Sequence, residues 1–148
     1  MKMEESIDIA APPENIWVLL TKRENVFAID RLISRFDFVG EQHSGMGTTF
    51  YMVKKTDGRV IRSLCTFTEW EENKRLAFHQ FMGDVKRMYV VYTIEATEKG
   101  SRLTLVHEVA MPYWIISKII ELIVVRPIMK KVGPEVVANI KRLAEERR

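Results

Sequence analysis

The sequence predicts an α+β fold in which a curved antiparallel sheet of seven strands wraps around one long C-terminal helix, with two short helices between the first and second strands. Three observations predict it. Residues 33–111 read as successive strand-like runs, five of them joined by four short turns, and parallel pairing would need long crossovers instead. From Pro112 onward, apolar residues recur at helical spacing: Ile115, Ile116, Ile119, Ile120, Leu122 and Ile123, then Ile128, Met129, Val132, Val136, Val137, Ile140 and Leu143. Strands and helices are segregated along the chain rather than alternating, which is the α+β pattern.

Residues 3–10 alternate weakly and suit a first strand. Ala11-Pro12-Pro13-Glu14 is a helix start, because Pro13 has no amide to leave unsatisfied and Glu14 sits at the positive end of the dipole. A helix over Glu14–Leu20 would bury Ile16, Trp17, Leu19 and Leu20, and a second short helix is expected at about Asn25–Arg31. Strands follow at Ser34–Glu41, Thr48–Lys55, Arg59–Glu71, Arg75–Met82, Val85–Ala96 and Ser101–Met111. Asp57-Gly58, Glu72-Asn73, Gly83-Asp84 and Lys99-Gly100 supply the turns. The first half of the last helix is apolar almost all round and needs something wrapped about it. In its second half, Glu135, Asn139, Lys141, Arg142, Glu145 and Glu146 are expected to lie away from a Val136–Val137–Ile140–Leu143 stripe. Pro127 and Gly133-Pro134 are break signals. The helix is therefore expected to bend or be interrupted at one of them, the alternative being two separate helices.

A chain of 148 residues suits one domain, taken as residues 1–148, and can bury a core without staples. The single cysteine, Cys65, excludes an internal disulfide and any multi-cysteine metal site. Lys2, Glu4, Glu5 and Asp8 interrupt any apolar run at the start, so no secretory leader is expected and the expected location is cytoplasmic. The net charge of +3 gathers at the end: residues 101–148 carry 9 Lys/Arg against 5 Asp/Glu. Interleaved glutamates make this a solvated helix face, leaving open a weak contact with a membrane surface. Lys118, Glu121, Arg126 and Pro127 interrupt the run Tyr113–Met129, so no membrane span is expected. No basic stripe interleaved with aromatics marks a nucleic-acid binder.

Three segments carry a resemblance to a known superfamily. The first strand is followed by Ala11-Pro12-Pro13-Glu14-Asn15-Ile16-Trp17. Val39-Gly40 runs through to Gly45-Met46-Gly47-Thr48. Thr66-Phe67-Thr68-Glu69-Trp70-Glu71 precedes Lys74-Arg75-Leu76-Ala77-Phe78. With the ending Ile140-Lys141-Arg142-Leu143-Ala144-Glu145, the sequence resembles the Bet v 1-like or START-like (SRPBCC) superfamily, in its polyketide cyclase/dehydrase and lipid-transport-like branch. It departs from that pattern at Glu72-Asn73, where many relatives have proline. The resemblance implies a helix-grip fold with a cavity between sheet and helix. Members bind lipids, sterols, polyketides or other apolar molecules, and some are enzymes or act through protein partners.

Period-two alternation then assigns the inward side chains. They are Phe50 and Met52; Ile61, Ser63, Cys65 and Phe67; Leu76, Phe78, Gln80 and Met82; Met88, Val90, Tyr92, Ile94 and Ala96; Leu103, Leu105, His107, Val109 and Met111. With Ile119 and Ile123 from the helix, the candidate ligand-binding set is Phe50, Met52, Ser63, Cys65, Phe78, Gln80, Met88, Tyr92, His107, Met111, Ile119 and Ile123. Methionines suit an adaptable lining; equally, Met and aromatic side chains fill ordinary cores. His107 is the candidate for proton transfer, with Tyr92 as its neighbour, and a hydrogen-bonded buried histidine is the plainer account. His43, His79 and Cys65 make no metal-ligand spacing with it, and no cofactor is expected. Gly45-Met46-Gly47 lies between strands and reads as a turn, not a phosphate loop. The expected function is binding or carriage of an apolar small molecule. A cyclase- or dehydratase-type enzyme using the same cavity is the alternative, and a protein-partner module is the third. Nothing in the sequence fixes the oligomeric state.

Overall fold

The computed structural model describes residues 2–56, 58–82, 86–110, 123 and 126–147. Seven strands, β1 (Lys2–Ile9), β2 (Ile33–Val39), β3 (Thr49–Thr56), β4 (Arg59–Glu71), β5 (Arg75–Met82), β6 (Lys86–Thr97) and β7 (Gly100–Ala110), form one antiparallel sheet in the order β1-β7-β6-β5-β4-β3-β2. Helices α1 (Pro13–Thr21) and α2 (Arg23–Ile29) lie between β1 and β2, and α3 (Arg126–Glu146) closes the described chain. This is the helix-grip arrangement, with α3 against β1, β7 and both short helices.

Local sequence explains the joints. Asn73 takes φ 64° in the β4–β5 turn, a left-handed conformation that Asn tolerates better than most residues. Gly100 takes φ 144°, and a Cβ there would stand 2.3 Å from the Ile9 carbonyl oxygen, so only glycine lets β7 start beside the end of β1. Asp57, Gly83 and Asp84, expected in two of the turns, lie outside the described residues.

Helix α3 corrects two expectations. It runs unbroken through Gly133-Pro134. Bare Gly133 allows close approach to β1, since a Cβ would meet the Glu5 side chain at 3.1 Å. The expected break at Pro127 turns on the residues before it, and 111–122 and 124–125 lie outside the described residues. Asn139, expected on the solvent side, is buried: it flanks the Val136–Ile140 stripe and gives its Nδ2 hydrogen to the Ile29 carbonyl at 3.2 Å, satisfying the end of α2. The buried stripe is Val136, Val137, Ile140 and Ala144, with Leu143 only half-buried at its edge. Asn15 of α1 donates to the carbonyls of Ala144 and Arg147, capping the other end of α3.

The core has an aromatic half. Phe36 stacks on Phe50 at 4.7 Å, Phe50 meets Phe67 and Phe78, and Phe67 meets Trp70, whose ring meets Trp17 of α1 edge-on at 5.3 Å. Phe67 and Trp70 share the inner face although three residues apart, because the β4–β5 register slips at Thr68. A bulge of this kind inverts the alternation beyond it. The slip at Ser34 acts similarly in β2, where Ile33, Phe36 and Phe38 line the same cavity.

Candidate functional site

The alternation expected for β3 to β7 holds along nearly its whole length: Phe50, Met52, Ser63, Cys65, Phe67, Leu76, Gln80, Met88, Val90, Tyr92, Ile94, Leu103, Leu105, His107 and Val109 are all buried. Of the other residues expected inward, Ile61, Phe78 and Met82 are half-buried and Ala96 is exposed, while Val53, Ala77 and Val91 of the opposite parity are buried too. Arg87, Glu95, His79 and Glu108 are exposed, on the opposite parity.

A cavity of about 70 Å³ lies between this inner face, α1, α2 and α3. Of the candidate residues, Phe50, Met52, Phe78, Gln80, Tyr92 and His107 line it. Apolar neighbours from the helices complete the wall: Leu20, Val26, Ile29, Val132 and Val136. The remaining candidates fall elsewhere. Ser63 is a buried backing group that accepts a hydrogen bond from Gln80 Nε2 at 2.8 Å. Cys65 and Met88 are buried in the core and do not border this cavity. Burial pushes the Cys65 thiol up to about 12, which leaves it a small inert hydrophobe. Ile123 is 70% exposed and is not part of the wall. Met111 and Ile119 lie outside the described residues.

The site also holds a feature that sequence reasoning missed. Lys54 Nζ makes a 2.7 Å ion pair with Asp30 Oδ2 at the cavity wall, with side-chain exposures of 18% and 9%. The other carboxylate oxygen of Asp30 accepts the Leu32 amide at 3.0 Å. Lys54 was legible in principle, because the parity that turns Phe50 and Met52 inward turns Lys54 inward too. An inward lysine demands an anionic partner. Asp30 at the end of α2 carries no periodic signal, so its meeting with Lys54 belongs to the tertiary fold.

His107 is 8% exposed, and its pKa is lowered to about 4, first by burial and then by the nearby Lys54 ammonium, with Asp30 partly opposing. It is therefore a neutral imidazole near pH 7. Burial likewise drives the Tyr92 phenol upward, helped by Asp30, so it stays protonated. Tyr92 and His107 are diagonal neighbours: His107 sits opposite Val90, and Tyr92 opposite Leu105. Among the described residues, no hydrogen bond engages the Tyr92 hydroxyl or the His107 ring. Glu108, on the outer parity, is no partner for His107. Among the described residues, no three His, Cys, Asp or Glu side chains cluster as metal ligands, and no helix is long and apolar enough to cross a membrane.

A seven-stranded sheet gripping a C-terminal helix over a mostly apolar cavity defines a protein of the Bet v 1-like (SRPBCC) class. Within that class the chain belongs to the family of Activator of Hsp90 ATPase homolog 1-like proteins, whose sequence model matches residues 10–145. No curated protein matches the sequence. Solved structures similar to it include TTHA0849 from Thermus thermophilus, at 19% identity and TM-score 0.79 over 97% of each chain. The di-domain ARO/CYC StfQ from the steffimycin biosynthetic pathway is similar at 14% identity and TM-score 0.80, over 99% of this chain and 51% of that one. Ara h 8.0201 is similar at 14% identity and TM-score 0.70, over 97% of each chain. At such identities these likenesses establish the fold.

Proposed function

We propose that the protein binds and carries an apolar small molecule in the cavity between the sheet and the C-terminal helix. The observation that carries this reading is the wall itself: aliphatic and aromatic side chains around a few convergent polar groups, Asp30–Lys54, Gln80, Tyr92 and His107. The enclosed space is below the ~150 Å³ that holds a benzene ring in an engineered cavity. The described walls must therefore yield, or the ligand must extend past the half-buried Thr21, Ile33, Phe38 and Val132. Carriage is favoured over acid–base catalysis because an imidazole with a pKa near 4 is a weak base at neutral pH. A partner module is favoured less. Exposed Leu64 and Phe81 lie opposite one another on the outer face, but arginines flank them, Arg87 over the Phe81 ring and Arg35 over Tyr51, which sits opposite Leu64. A buried lone thiol is compatible with a reducing compartment such as the cytoplasm.

Filling the cavity tests this. Val90→Phe, on the cavity wall, is expected to stay folded and to abolish the backbone NMR shifts that toluene induces around Val90, Tyr92 and His107 in the parent. Ile140→Ala, in fully buried core, is expected to cost ~2–5 kcal/mol. A parent blind to toluene, with Val90→Phe melting as low as Ile140→Ala, would make these side chains ordinary core.

A further inference from the structure

The formal charges on the described cavity wall are two, Asp30 and Lys54, and they are spent on each other at 2.7 Å. The charge of Asp30 is already neutralised by Lys54, and its second oxygen also accepts the Leu32 amide, so a ligand cation gains little there. A ligand carboxylate on Lys54 would set a second negative charge beside Asp30, leaving two anions against one cation in a site where Asp30 is only 9% exposed, and a buried excess charge is heavily penalised. The groups that remain are uncharged. The Tyr92 hydroxyl and the His107 ring have no hydrogen-bond partner among the described residues, and both line the cavity.

Resting on the binding function above, we propose that the cavity selects uncharged amphipathic ligands, an apolar body carrying one hydroxyl or carbonyl oxygen, and rejects carboxylates of the same skeleton. The ligand oxygen accepts a hydrogen bond from the Tyr92 hydroxyl or exchanges one with the neutral His107 ring. Its body lies against Phe50, Phe78 and Val136. The depressed pKa of His107 agrees with this, because a neutral imidazole offers one donor and one acceptor and adds no charge for an anion to seek. Gln80 spends one of its two amide hydrogens on Ser63, which fixes its orientation at the wall.

The test is a pair of NMR titrations at pH 7 with 4-propylphenol, uncharged at that pH, and 4-propylbenzoate, an anion of like shape. The parent is expected to bind the phenol at least about tenfold more tightly. Asp30→Asn keeps an acceptor for the Leu32 amide but strips Lys54 of its counter-charge. It is expected to move the ratio at least about tenfold toward the benzoate. Equal or tighter binding of the benzoate by the parent overturns the proposal, and so does an unchanged ratio in a folded Asp30→Asn. If Asp30→Asn does not fold, the parent's ratio alone decides. Toluene uptake separates the two levels: a parent that takes toluene but prefers the benzoate refutes the selectivity and leaves the binding function standing. A parent that takes none of the three refutes both.

Discussion

Replacing Lys54 by methionine is expected to lower stability by about 3 kcal/mol, because it leaves the Asp30 carboxylate without its counter-charge in a site only 9% exposed. Lys54 itself keeps some water, at 18% exposure, which places the loss at the lower end of the range for breaking a buried pair. Adding Asp30→Asn to the same chain should recover most of the loss. The amide removes the stranded charge, while its oxygen still accepts the Leu32 amide that now bonds Asp30. Urea melts of the two single variants and the double one measure the coupling directly. Additive losses would mean that the pair is hydrated and contributes no more than a surface ion pair.

Lowering the pH from about 6.5 to about 4 is expected to cost another ~3 kcal/mol through His107 alone. The sign follows from proton counts. In this window the unfolded chain takes up a proton at His107, whose unperturbed pKa is 6.5, while the folded chain does not until about 4. Stability therefore falls as pH falls, and this component levels off below 4. Glu69, held down chiefly by the Tyr89 hydroxyl, and Glu145, held down chiefly by Lys141, begin to lose their contributions only as the pH falls past the ordinary carboxylate value of 4.5, at the foot of the histidine window. The histidine component is thus separable. His107→Gln should flatten the stability profile between pH 6.5 and 4 and leave the lower limb in place. An unchanged slope in the variant would mean that His107 is hydrated in the folded protein.

The sheet was readable because its signals are local. Short turns force antiparallel pairing, and alternation on β5, β6 and β7 separates Leu76, Val90 and Leu105 from His79, Arg87 and Glu108, although Ala77 and Val91 on the outer parity are buried as well. Where the alternation was broken, reading it was harder: the register slip at Thr68 puts Trp70 on the same face as Phe67, and nothing in the dipeptide steps announces it. For the site, parity found Phe50, Met52, Phe78, Gln80, Tyr92 and His107. Parity alone does not tell a residue that borders this cavity from one buried behind it, as Ser63, Cys65 and Met88 are. Facing inward is a property of one strand, whereas bordering a cavity depends on what packs opposite. Asn139 and Asp30 were missed for one shared reason. Each is a polar residue whose partner, the Ile29 carbonyl or Lys54, comes from a distant element, and only the assembled fold brings them together.

The most direct measurement is native mass spectrometry of the protein purified from its own host, beside Val90→Phe prepared the same way. The account predicts a non-covalent small-molecule adduct on the parent that denaturation releases, uncharged in solution and absent from the folded variant. A bare chain mass for the parent, or the same adduct on both proteins, would contradict it.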